Sequence, residues 1–349
     1  MERLMRLKVL FVSLLAFVFL VGCTSEKEPV KEEKPLETVD VVLDWYPNAL
    51  YSFIYVAMEK GYFEEEGIKV NIHFPANASD PLALTAAKKA DIGFYFLHHL
   101  VMARANENIP VKAIGVVVKK PLTVVMSLKE NNITRPKDLE GKLVGYSGGP
   151  LTEGTLDTMV LKDGGDPSKV EVLDIGFELL TGMITKKVDA TIGGLINHEV
   201  PVMLEKGFEI NYFYPSEYGV PDYYENLLVA NDELIEERKD VYTKFLKACA
   251  RGAEDMKNNP EESLDILLSK QAAEQFPLSR SVEKQSTDIL LSFMFNGDTP
   301  FLYQEKEVWE KNIDWLYDQK IIKRKIDAEE MFVNLLPLNE WENGGNNKK

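Results

Sequence analysis

VDVVLDWYPNALYSFIYVAMEKGYFEEEGIKVNIHF, residues 39–74, holds one complete strand–helix–strand unit. Val39 to Leu43 is almost continuously apolar and stops at Asp44, the pattern of a strand buried on both faces. In the helix predicted from Tyr51 to Lys60, Phe53, Ile54, Ala57 and Met58 share one face. Gly61 ends it and Gly67 marks a second turn. Val70, Ile72 and Phe74 then alternate with polar neighbours, which reads as the next strand. A strand, a crossover helix and a second strand are the building block of an α/β sheet.

The rhythm continues outward. Asp80-Pro81 sets a capping residue before a proline at the first helical position, and that helix runs to about Lys89. Ala90 to Phe96 returns as a strand. Leu143 to Tyr146 is a short strand leading into Ser147-Gly148-Gly149-Pro150 and a helix from about Glu153. Asp189 to Gly193 is another strand, with a helix from near Asn197. Asn226 to Asn231 is one more, and from there to Trp341 the pattern is almost wholly helical. The alternation predicts α/β architecture with mainly parallel sheets. Two extended apolar segments, Leu122 to Leu128 and Asn226 to Asn231, flank a block of about 100 residues. A chain crossing out and back at these points makes two lobes on a two-strand hinge. The expected lobes are 39–125 with 229–340, and 126–228.

The N-terminus carries a different signal. Arg3, Arg6 and Lys8 precede an uncharged apolar run from Val9 to Val21, then Gly22 and Cys23. That is the order of a secretory signal, and the run is too short for a comfortable membrane-spanning helix. Leu20-Val21-Gly22-Cys23 resembles a bacterial lipobox, which implies lipidation of Cys23 as the mature N-terminus. Residues 1–22 are then a cleaved signal, and 23–38, polar and charged with two prolines, a flexible tether. The ending EWENGGNNKK, of which 341–349 are expected to be disordered, has as little to bury. The expected location is the outer face of the cell membrane, held by lipid alone.

Without residues 1–22 the chain keeps 37 Lys and Arg against 55 Asp and Glu, a formal charge of −18. So acidic a body suits neither nucleic acid nor an anionic membrane surface. With Cys23 acylated, Cys249 has no partner for a disulfide, and in VYTKFLKACARG it reads as a small buried hydrophobe. There is no GxSxG, HExxH, P-loop or GxGxxG. Of the four histidines, His98 and His99 are adjacent and cannot share a helical face, so no metal site is expected there; separately, no cofactor is expected. The SGGP turn could cradle a phosphate, although a plain strand-to-helix turn explains it as well.

Aromatic and amide residues cluster at the strand ends instead. Asp44, Trp45, Tyr46 and Asn48 follow the first strand, with Tyr51 and Tyr55 just beyond. Phe94, Tyr95 and Phe96 end another. Six of the thirteen residues from Tyr212 to Tyr224 are aromatic. The carboxyl ends of strands in an open α/β sheet line a ligand crevice, and flat aromatic walls there suit a poorly charged ring. An anion receptor would set Arg, Lys or helix N-termini at those ends.

DWYPNALYSFIYVAMEKGYFEEEGIKV (44–70) resembles the solute-binding proteins of ABC importers that include pyrimidine-precursor, riboflavin and alkanesulfonate receptors. PANASDPLALTAAKKADIGF (75–94) and GYSGGPLTEGTLDTMVLKDGG (145–165) extend the likeness. INHEVPVMLEKGFEINYF (196–213) and YGVPDYYENLLVAN (218–231) point to the thiamine-precursor branch. The resemblance implies a two-lobed periplasmic-binding-protein fold of type II, a permease and an ATPase as partners, and an aminopyrimidine ligand. It implies Trp45 stacked on the ring, Asp44 or Asn48 near its nitrogens, and Glu199 accepting from the exocyclic amine beside Asn197. Tyr218 or Tyr223 would close the far wall; Tyr95 joins the candidate set from its place at a strand end, not from the resemblance. Relatives commonly carry His where this chain has Tyr51. Other readings are a receptor for riboflavin or a sulfonate, a structural surface protein, and a pyrimidine-synthase enzyme of the same superfamily. The synthase branch is intracellular with a cysteine-rich motif, whereas no Cys lies between Cys23 and Cys249 here.

Overall fold

The structure is a computed structural model that describes residues 35–146, 150–176, 178–271 and 276–337. Cys23, the signal-like segment, most of the tether, the SGG of the SGGP turn and the tail lie outside the described residues. No helix among the described residues is long and apolar enough to cross a membrane.

Among the described residues, ten strands form two five-stranded sheets. The first contains β1 (Glu37–Val42), β2 (Ile68–His73), β3 (Ile92–Tyr95), β4 (Val111–Val118) and β10 (Asn226–Asn231), in the order β2-β1-β3-β10-β4. The second contains β5 (Thr123–Leu128), β6 (Leu143–Tyr146), β7 (Glu171–Asp174), β8 (Ala190–Leu195) and β9 (Ile210–Phe213), in the order β7-β6-β8-β5-β9. Both sheets are mixed rather than mainly parallel. β10 is inserted antiparallel between β3 and β4, and β5 antiparallel between β8 and β9. Each inserted strand is the first to follow a passage between the sheets, so it enters from the end at which the other strands finish.

That geometry moves the hinge. The expected crossings, Leu122–Leu128 and Asn226–Asn231, are mostly central strands held by ladders on both sides. The passages between the sheets are 119–122 and 214–225. Sheet membership accordingly changes at Thr123 and Asn226, not at 125/126 and 228/229. β1 likewise begins at Glu37, inside the expected tether.

Helices cover the sheets and the core is shared. One apolar cluster joins Val41, Phe94 and Phe245 of the first lobe to Val124, Met126 and Met203 of the second. The helix Lys239–Asn258 buries Val241, Tyr242, Phe245, Leu246, Cys249 and Met256, an amphipathic stripe at spacings of three and four. It lies against the helix Ser52–Glu59. Cys249 is fully buried and burial pushes its thiol well above the usual range, as a small core residue requires.

Candidate functional site between the sheet ends

β1, β3 and β4 end where β10 begins, and β6, β8 and β9 end where β5 begins. The passage 119–122 connects these two ends, so they stand no more than about 17 Å apart by the reach of the chain. Residues just past the strands therefore lie near the boundary of the two lobes.

Asp44 is the centre on the first lobe. Its Oδ1 accepts from the Tyr51 hydroxyl at 2.8 Å, and its Oδ2 accepts from Asn226 Nδ2 at 3.4 Å. Burial raises its carboxyl above the usual carboxylate range, against the pull of the Tyr51 and Asn226 hydrogen bonds. Asn48 is spent on local structure: its Oδ1 accepts from Leu50 N at 2.9 Å and its Nδ2 donates to Tyr46 O. It caps the 3-10 turn Ala49–Tyr51 that delivers Tyr51 to Asp44. Trp45 stands at the rim, 40 % exposed, edge-on to Phe276 at 5.7 Å, and Tyr46 stacks on Phe276 at 4.0 Å. The result is an aromatic cluster beside a partly buried carboxyl.

The second lobe contributes the segment 195–199. Glu199 Oε2 accepts from Leu195 N at 2.7 Å, and its Oε1 pairs with His198 Nδ1 at 2.8 Å. Its two oxygens are thus already engaged once each, leaving one lone pair apiece for anything else. Asn197 Nδ2 donates to Ser286 Oγ at 3.0 Å. Ser286 sits one helical turn beyond Glu283, whose Oε2 accepts from Ala49 N at 2.8 Å. The helix Arg280–Met294 therefore ties the 3-10 turn of the first lobe to the Asn197 segment of the second. Burial works to lower the His198 imidazole, but the Glu199 hydrogen bond and the charges of Glu199 and Glu283 outweigh it and the net shift is upward. Burial raises the Glu283 carboxyl.

Three expected residues do not join this group. In β3, Phe94 packs edge-on against Tyr51 at 5.1 Å. Successive strand residues face opposite ways, so Tyr95 lies on the other face of the sheet, in the core with Leu97 and Leu100. Tyr223 is on that side too, its ring 4.4 Å from His98, which hydrogen-bonds Asn312. Tyr218 packs on Phe213 at 5.7 Å, with its hydroxyl in the field of Asp163 and Arg135 at the C-terminal end of the helix Pro150–Lys162. That helix of 13 residues is about 20 Å long, so Tyr218 is far from the end that starts beside β6. Tyr95 and Tyr223 pack in the core, and Tyr218 packs against Phe213.

Asn226, Glu283 and Ser286 complete the group without having been expected. Asn226 carries a readable signal, a polar residue opening the otherwise apolar NLLVAN. Glu283 and Ser286 had none, since RSVEKQS reads as an ordinary solvated helix face. No cluster of His, Cys, Asp or Glu suited to a metal occurs among the described residues.

The group is a partly buried, hydrogen-bonded set of acceptors and amides with aromatic residues beside it. The chain matches the family profile described as NMT1/THI5 like over residues 48–263. It is 42% identical to the formylaminopyrimidine-binding protein of Halalkalibacterium halodurans, covering 92% of this chain and 97% of that one. It is 25% identical to the 4-amino-5-hydroxymethyl-2-methylpyrimidine phosphate synthase of Legionella pneumophila, covering 85% and 91%. The periplasmic aliphatic sulphonate binding protein of Escherichia coli superimposes with a TM-score of 0.65 at 14% identity, over 84% and 96%. That likeness shows the periplasmic-binding-protein fold expected from the sequence. With two sheets joined by two passages and a profile match running from Asn48 to Ser263, the chain belongs to the NMT1/THI5-like family.

Proposed function

We propose that this protein is the extracytoplasmic solute receptor of an ABC importer and captures N-formyl-4-amino-5-aminomethyl-2-methylpyrimidine for thiamine salvage. The observation that carries the reading is 42% identity along nearly the whole length of a protein named for binding formylaminopyrimidine. The chemistry between the sheet ends agrees with it. Asp44, Glu199 and Glu283 make the group acidic, which suits amine donors and opposes a sulfonate. A synthase reading has less support, since the synthase relative stands at 25% identity against 42% for the receptor.

Isothermal titration of the purified body tests the ligand. The formylated aminopyrimidine should bind with a dissociation constant of about 1 μM or tighter, and an alkanesulfonate should give no saturable heat. Saturable sulfonate binding with no response to the pyrimidine would sink the reading.

Under this reading Cys23 carries the lipid and the partners are a permease and an ATPase. Stable attachment takes more than one acyl chain, at about 0.8 kcal/mol per buried methylene. Cys23→Ser should therefore move the protein from the membrane fraction to the soluble one with ligand affinity unchanged. Retention of the variant in membranes as firmly as the parent would contradict the anchor.

A further inference from the structure

Two buried asparagines near the facing sheet ends hold a carbonyl oxygen to which nothing donates, Asn226 Oδ1 and Asn197 Oδ1. The residues are 1% and 4% exposed. Native proteins keep few such atoms without a reason. Each amide is fixed by its nitrogen, which donates to Asp44 at Asn226 and to Ser286 at Asn197. With Nδ2 engaged, the remaining end of the amide can only accept. At Asn226 the fixing group is itself fixed: the Tyr51 hydroxyl holds the other oxygen of Asp44. An apolar side chain at 226 would continue the buried strand Leu227, Leu228, Val229 and remove the orphaned oxygen, at the cost of the one long hydrogen bond to Asp44.

We infer that Asn226, through Oδ1, reads the exocyclic amino group of the bound aminopyrimidine, with Asp44 as the positioning residue that turns its amide to the accepting orientation. This rests on the function proposed above. A 4-amino group presents N–H to Oδ1. A 4-oxo group in the same place presents lone pairs to a lone pair, leaving two buried acceptors facing each other. A site built to hydrogen-bond an N–H rejects analogues lacking it far more strongly than a hydrophobic pocket rejects a missing methylene. Asn226 then acts as the selectivity residue for amino against oxo pyrimidines.

The test is titration calorimetry of the parent, Asn226→Leu and Asn226→Ser with N-formyl-4-amino-5-aminomethyl-2-methylpyrimidine and with its 4-oxo analogue. The parent should favour the amino form by about 100-fold or more. Asn226→Leu should weaken the amino form about 10- to 100-fold and the oxo form by less than about threefold, collapsing the ratio. Asn226→Ser, which keeps a smaller acceptor, should fall between. A residue that only supports the fold would weaken both ligands together, and that result overturns the inference. So does a parent that binds both forms equally, which needs no variant to fold. If the parent binds neither pyrimidine, the functional reading fails and this inference falls with it; binding of the amino form without selectivity removes the inference alone.

Discussion

Gly252→Ala should destabilise the protein by about 3 kcal/mol, although helix propensity alone predicts a gain of about 1 kcal/mol. Gly252 lies within the helix Lys239–Asn258 where it crosses the helix Ser52–Glu59. A methyl group added there would run into the carbonyl oxygen of Phe53 and stand 3.0 Å from Ala57 Cβ and 3.1 Å from Ala57 N. The first and last of these atoms are backbone and cannot rotate away. The helices must separate, which also strains the neighbouring stack at 5.4 Å between Phe245 and Phe63 of the helix Tyr62–Glu65. In a body of this size the thermal midpoint should drop by roughly 5 °C or more. An unchanged or raised midpoint would mean that the helices do not meet this closely.

The second large effect is expected at Glu225. Its carboxylate accepts from Leu122 N at 2.7 Å and Thr123 N at 3.1 Å, fastening the outward passage to the returning one. Glu225→Ala leaves two buried N–H groups unmet, at a cost of about 3 kcal/mol, whereas Glu225→Gln keeps an accepting oxygen and should cost about 1 kcal/mol. The pH dependence separates charge from geometry. Burial raises the Glu225 carboxyl, against the hydrogen bonds from Leu122 and Thr123, so the folded state holds its proton more tightly than the unfolded chain. Its contribution is fully present below the unfolded value near 4.5 and is lost as pH rises through the folded value. The difference in denaturant midpoint between parent and Glu225→Gln should therefore shift in favour of the parent as pH falls from 7 towards 4.5. A difference that shifts the other way would show the ionised form to be the stabilised one.

Much of the fold was legible because each strand and helix carries its own period. β1, β2, β6 and β10 and the helix Ser52–Glu59 stand within a few residues of where alternation and i, i+3, i+4 spacing put them. The direction of β10 was not legible. NLLVAN is buried at every position, and a strand buried on both faces reads the same whichever way it runs. The site divides in the same way. Asp44, Trp45, Asn48 and Tyr51 follow one strand in an unbroken loop, so their grouping could be read directly. Tyr95 could not be told from Phe94 by composition, yet one residue of alternation decides which faces Tyr51. Glu283 and Ser286 arrive from a helix far along the chain, and no local pattern records that two of their side chains face inward between the lobes.

The placement of β10 also dictates the order in which the molecule can be assembled. β3 and β4 are neighbours along the chain but not in the sheet, because the slot between them belongs to a strand made only after the whole second lobe. Until Asn231 has been synthesised, β3 and β4 each present a row of unpaired amides and carbonyls. The second lobe has no such debt, since all five of its strands lie between Thr123 and Phe213. A growing chain thus completes its middle before its beginning. A fragment cut between Phe213 and Asn226 would carry a finished second sheet beside a gapped first one, with two open edges ready to pair with other chains.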